Sequence, residues 1–200
     1  MEPRTIRIAA IGDELLAGHG DPRALGWYGR VLARTSAEDT RLESYVLAAP
    51  GEGTEALAQR WLEEAARRFG DRCENRLVVA LSGRDLDLGL STARSRLNLA
   101  NILDAASQMS IKALVVGPVP GLDPDRNRRL GELAAAYGDV ASRRNHSYVD
   151  TFTPLEHHDQ WRSDLASNQG LPGQAGYGLI AWLVLHRGWY PWLQLPEPTA

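Results

Sequence analysis

Cysteine is nearly absent from this 200-residue sequence. Cys73 stands alone, which excludes an intrachain disulfide framework and leaves stability to the core. Lysine is as scarce: Lys112 is the single one among 22 basic residues, and against 25 acidic residues the formal net charge is −3. That balance excludes the basic field that nucleic acid or an anionic membrane surface would select, so neither is an expected partner. No apolar run approaches the roughly 18–20 residues of a membrane span, and the longest candidate, residues 179–185, is far shorter. Residues 1–7 are short and polar and lack the apolar core of a secretory leader, so the cytoplasm is the expected compartment. There is no internal repeat, low-complexity stretch or linker composition. A single domain over residues 1–200 is expected, long enough to bury a sizeable core.

What is present is an alternation. Strand-like apolar runs fall at residues 6–11, 42–47, 77–81, 113–116 and 148–149. Helical patterns lie between and after them. One runs near residues 25–34. A second is expected to be capped by Thr54, with Leu57, Trp61, Ala65 and Phe69 on one stripe. A third starts at Ser91 and places Leu99, Ile102, Leu103 and Ala106 on one face; a fourth starts at Asp123-Pro124 and buries Leu130, Leu133, Ala134 and Tyr137. The last, about residues 174–187, is apolar nearly all round and is expected to end at Gly188. The proline-rich tail, about 191–200, is expected to lie loosely on the surface. Five strands alternating with five helices imply an α/β fold with a parallel sheet and right-handed crossovers.

The stretch Ile11-Gly12-Asp13-Glu14-Leu15-Leu16-Ala17-Gly18 organises the rest. Gly12 permits a sharp turn after the first strand, and Asp13 and Glu14 fall just outside the sheet, at the edge where open α/β sheets bind ligands. The stretch resembles the signature of the GDSL, or SGNH, hydrolases, whose nucleophilic serine stands third in Gly-Asp-Ser-Leu; here that position is Glu14. The resemblance implies a three-layer α/β/α sandwich with a five-stranded parallel sheet in flavodoxin-like order. It covers most of the chain. The second block is similar to Ala49-Pro50-Gly51-Glu52-Gly53-Thr54, with Gly51 matching the glycine whose N–H helps form the oxyanion hole. The third is similar to Ser82-Gly83-Arg84-Asp85, with Arg84 where the family has an asparagine. The last is similar to Asn168-Gln169-Gly170-Leu171-Pro172, with Asn168 at the acid position and Leu171 at the base position.

Nucleophile, base, acid and one oxyanion donor are therefore all substituted. Leucine has no atom that accepts a proton, and a carboxylate at Glu14 repels the oxyanion that acyl transfer must stabilise. Two readings follow. In the first, the chain is a non-catalytic or very weakly active member of the family, an interaction protein or one that binds a small molecule beside Asp13, Glu14, Gly51, Arg84 and Asp85. In the second, it is a hydrolase with a rebuilt site, using Glu14, Arg84 and Asp85, with His19 or His157, on an ester or a glycosidic bond. A third, an active serine esterase hidden by misalignment, requires a serine beside a histidine. His157-His158-Asp159 suggests a metal, but adjacent loop residues rarely both ligate and no second cluster is visible, so neither metal nor cofactor is expected. Trp182, Trp189, Tyr190 and Trp192 serve either as core packing or as an interface for a partner protein or a second copy; packing is expected for Trp182, and Trp192 stays open.

Overall fold

The computed structural model describes residues 4–197. β1 (Arg4–Gly12) lies inside the sheet. Its Ile6, Ile8 and Ala10 face one core cluster, while Ala9 and Ile11 face the other. A strand covered on both faces needs apolar side chains at successive positions, which is why the run is nearly continuous. β2 (Thr40–Ala48), β3 (Glu74–Ala80), β4 (Lys112–Val116) and β5 (Ser147–Val149) join it in the order β2-β1-β3-β4-β5, and every neighbouring pair is parallel.

Two helical layers cover this sheet. On one face α1 (Gly26–Arg34) packs on α7 (Gln174–Val184), with Trp27, Tyr28, Tyr177 and Trp189 as the bulky fill. On the other, α2 (Thr54–Ala66) packs on α4 (Thr92–Gln108), and α4 on α5 (Pro124–Arg143). The architecture is the three-layer α/β/α sandwich with flavodoxin-like strand order. From β1 the chain leaves toward β2, then returns past β1 to β3. The loops at the carboxyl ends of β1 and β3 thus diverge, opening a crevice at this switch point.

Local signals account for several boundaries. Ser91 caps α4 by accepting from the Arg94 N–H at 3.2 Å, and Asp123 caps α5 with Pro124 at its first turn. Other expectations are corrected. Thr54 does not cap α2: Gly53 holds the cap position, and the Thr54 N–H and hydroxyl both go to Asp85. Two further helices appear among the described residues, α3 (Arg84–Asp87) and α6 (Asp159–Ser167), the second where a loop was expected. The last long helix does break at Gly188: that residue leaves helical geometry (φ 173°, ψ −19°), the chain kinks there, and a short helix, α8 (Tyr190–Leu193), follows. A Cβ at Gly188 would stand 3.3 Å from Val149, so the missing side chain lets this turn lie close against β5.

The start of the tail is not loose. Trp192 and Leu193 are buried, and the Trp192 indole N–H donates to the Lys112 carbonyl at 3.2 Å. Arg4 reaches across to donate to the carbonyls of Leu193 (2.9 Å) and Gln194 (3.2 Å) while pairing with Glu74. Residues 1–3 and 198–200 lie outside the described residues. The packing expected for Trp182 is corrected, since its side chain is 51% exposed and stacks on His186, and Trp192, left open, is in the core. No helix among the described residues is long and apolar enough to cross a membrane.

Candidate functional site

β1 ends in a tight turn at Gly12. A Cβ on Gly12 would lie 3.0 Å from the carbonyl oxygen and Cβ of Ala80, so the turn presses against the end of β3. The next two residues part ways. Asp13 folds inward and is almost fully buried; its carboxylate accepts from the Leu15 N–H at 3.0 Å, and Ser82 lines the same cleft. Burial raises its pKa, and its polar neighbours only partly offset the rise.

Glu14 instead points along the cleft wall. One carboxylate oxygen accepts from the Gly51 N–H at 2.7 Å and the other is in direct contact with the Arg84 guanidinium. Burial alone would raise this pKa, but these donors outweigh it and hold the group below the usual carboxylate value. Gly51 supplies its N–H from a left-handed conformation, φ +80°, with open space where a Cβ would be. Glycine is needed there for its backbone, not for room.

Arg84 opens α3, its N–H held by the Ser82 hydroxyl at 3.2 Å. Its guanidinium faces Asp87 at 3.7 Å, and Asp87 is in turn clasped by Arg126 at 2.9 Å. Glu14, Arg84, Asp87 and Arg126 thus form a row of alternating charge along a cleft of about 150 Å³, closed on the far side by Pro120, Gly121 and Leu171. The Arg84 Nε is buried and has no hydrogen-bond partner among the described residues.

The structure brings Asp13, Glu14, Arg84 and Leu171 to this cleft, with Gly51 at its edge. It does not bring Asp85, which is corrected as a ligand-facing residue. Asp85 is 2% exposed and points into the α2–α4–α5 layer, accepting from the Thr54 N–H (2.7 Å), the Thr54 hydroxyl (2.6 Å) and the Tyr137 hydroxyl (2.9 Å). Asn98 completes the cluster by donating to Thr54 at 3.1 Å. Asn168 also turns away: its amide donates to the carbonyls of Gly20 (2.9 Å) and Leu171 (3.1 Å), strapping the loop after β1 to the loop before α7. Ser82, Asp87 and Arg126 escaped the sequence reading. Ser82 had a visible signal, a hydroxyl at the end of a buried strand; Arg126, 42 positions beyond Arg84, had none.

No histidine lines the cleft. His157 is exposed beside Glu156, and His158 caps α6 through the Trp161 N–H at 3.4 Å. Among the described residues no group of three or more His, Cys, Asp or Glu side chains could hold a metal ion. A serine does meet a histidine at the opposite edge of the sheet, where Ser107 Oγ and His146 Nε2 are 2.9 Å apart, beside a bowl of about 580 Å³. The Ala113 N–H donates to His146 Nδ1 at 3.1 Å, so the proton of the neutral ring is on Nε2. Ser107 meanwhile donates to the Leu103 carbonyl at 2.9 Å. In this tautomer the ring donates toward the serine and cannot take its proton.

Strand order and the acid-bearing turn at the switch point define an α/β sandwich of the SGNH hydrolase type. The model of the GDSL-like Lipase/Acylhydrolase family matches residues 10–179, and the chain belongs to that family. Solved structures agree in fold. The lipase/acylhydrolase from Enterococcus faecalis is 20% identical with a TM-score of 0.74, over 97% of this chain and 99% of that one. A catalytic mutant of Axe2, an acetylxylan esterase from Geobacillus stearothermophilus, is 15% identical with a TM-score of 0.76, over 99% and 100%. A lipolytic G-D-S-L protein from Veillonella parvula is 19% identical with a TM-score of 0.73, over 90% and 96%. The comparison with curated proteins finds no match.

Proposed function

We propose that this member of the GDSL-like family does not perform acyl transfer at the switch-point cleft, or does so only at a trace rate, and that it binds a small polar molecule there. The observation that carries the reading is the Glu14 carboxylate at the family's nucleophile position, bonded to Gly51 and Arg84. A nucleophile needs a neighbouring base to take its proton and an acid to release the leaving group. Leu171 supplies neither, and Asn168 is spent on backbone carbonyls. A serine enzyme stripped of its triad retains roughly 10³–10⁴ over water through its oxyanion hole and binding alone; here the hole also faces a resident negative charge. A cytoplasmic location, and a protein partner or second copy at the exposed Trp182, belong to the same proposal.

One observation favours the rebuilt hydrolase as a second reading. Asp13, its pKa raised by burial, and the Ser82 hydroxyl line the same cleft, a hydroxyl and a weak base in one pocket. Hydrolysis of chromogenic acetate and butyrate esters by the purified chain decides between them, with Glu14→Ala and Ser82→Ala as controls. The expected result is no turnover above background. Clear turnover that vanishes in either control would overturn the non-catalytic reading.

A further inference from the structure

Two donors converge on one carboxylate in the cleft: the N–H of Gly51 and the guanidinium of Arg84. Neither depends on the rest of the Glu14 side chain. The first is a backbone group fixed by its turn, and Arg84 is placed by α3 and by Asp87. We propose that this is a socket for a small monocarboxylate, of the acetate or formate class, and that in the native chain Glu14 is its tethered occupant. The inference deepens the reading given above and rests on it.

A tethered ligand competes at the effective concentration of its own attachment, in the millimolar range or above for a short link. Free carboxylates below that level are shut out, so the native cleft selects a ligand without an anionic head at this position. The socket also has capacity that Glu14 leaves unused. The buried Nε–H of Arg84 has no partner among the described residues, while the Glu14 carboxylate divides its two oxygens between Gly51 and one arm of the guanidinium. A carboxylate freed from the tether can turn to take the forked pair of Arg84 donors, the arrangement in which guanidinium binds carboxylate most strongly.

The test is to cut the tether. Glu14→Ala and Glu14→Ser are each titrated with sodium acetate, with sodium chloride at matched ionic strength as control. The readouts are thermal melting and the chemical shift of the Gly51 amide, which reports the socket itself. Expected is a saturable rise in melting temperature in the variants, with the Gly51 amide returning toward its wild-type position, and neither response in the wild type. Adding Arg84→Met to the variant should weaken acetate by at least about tenfold, the scale of a lost charged hydrogen bond. Should one Glu14 variant fail to fold, the other decides. Absence of a saturable response in a folded variant, or an equal response in the wild type, would overturn the socket. Ester hydrolysis is scored separately, so turnover by the wild type refutes the non-catalytic reading while acetate binding refutes or upholds the socket.

Discussion

The two edges of the sheet hold opposite halves of a catalytic apparatus. The carboxyl edge has the accessible cleft at the switch point and an ordered row of charge, but no histidine among the residues that line it. At the amino edge stands a serine 2.9 Å from a histidine, beside the larger concavity, but with the imidazole proton on the wrong nitrogen. The difference lies in what each site does with its backbone N–H groups. At the carboxyl edge one of them holds an anion, and at the amino edge one takes the Nδ1 lone pair and so leaves the proton on Nε2, the nitrogen that faces the serine. Proximity of the right residue types is therefore a poor guide; the direction of each proton decides.

The comparison can be broken at several points. The largest effect is expected from Asp85→Ala, which strips a buried cluster behind the carboxyl edge and leaves the Thr54 N–H and the Tyr137 hydroxyl unpaired. Denaturant unfolding should show a loss of roughly 3–5 kcal/mol, as expected when several buried donors lose their acceptor. Next is a transplant. Glu14→Ser alone should leave esters untouched, whereas Glu14→Ser combined with Arg84→Asn, Asn168→Asp and Leu171→His should raise ester hydrolysis by about 10²-fold over the single variant, the lower end of what a positioned base contributes. If the folded quadruple variant is as inert as the single one, the missing proton carrier is not what silences the carboxyl edge. A smaller effect follows at the amino edge: His146→Ala leaves the buried Ala113 N–H without its acceptor and should cost about 1–3 kcal/mol, with no change in the cleft.

The smallest effects are in pH dependence, and they separate the edges. His146 is held below its ordinary value of 6.5, chiefly by burial. The unfolded chain then binds more protons, so this contribution is fully present above about pH 6.5 and is lost as the pH falls through the lowered folded value. Glu14, also lowered, acts in the same sense but in a more acid window, below its ordinary 4.5. Asp13 opposes it: its raised pKa means that the folded chain binds the extra proton, so the stability it contributes at low pH is lost as the pH rises through that value. Unfolding free energies from pH 3 to 7 should show the acid-side loss reduced in Glu14→Gln and the step nearer neutrality reduced in His146→Ala.

Legibility in the sequence followed the strength of the local signal. β1 and its turn were plain because a doubly covered strand must be apolar throughout and because Gly12 marks where the chain bends. α6 was missed because its buried residues, Trp161 and Leu165, make a single i,i+4 pair, too little for a periodic pattern. Trp182 was placed inside because an apolar helix gives no exposed side to read; Trp192, left open, is buried by the short helix that starts after the kink at Gly188. At the site, the meeting of Glu14, Arg84 and Leu171 at one cleft was legible by position. That Asp85 faces away was not, since its partners Thr54 and Tyr137 lie 31 and 52 residues off in the chain.

The Arg4 clamp has a practical consequence. By bonding to the carbonyls of Leu193 and Gln194, it places the start of β1 within a side chain's reach of the last helical turn, at the edge of the sheet remote from the cleft. Residues 4 and 194 are thus near enough for a short linker to join them, the condition for permuting the segment between. New termini opened at the exposed Asp71-Arg72 turn would leave both loops of the switch point uncut. Such a rearranged chain would separate what the cleft owes to its own geometry from what it owes to the order in which the strands are made.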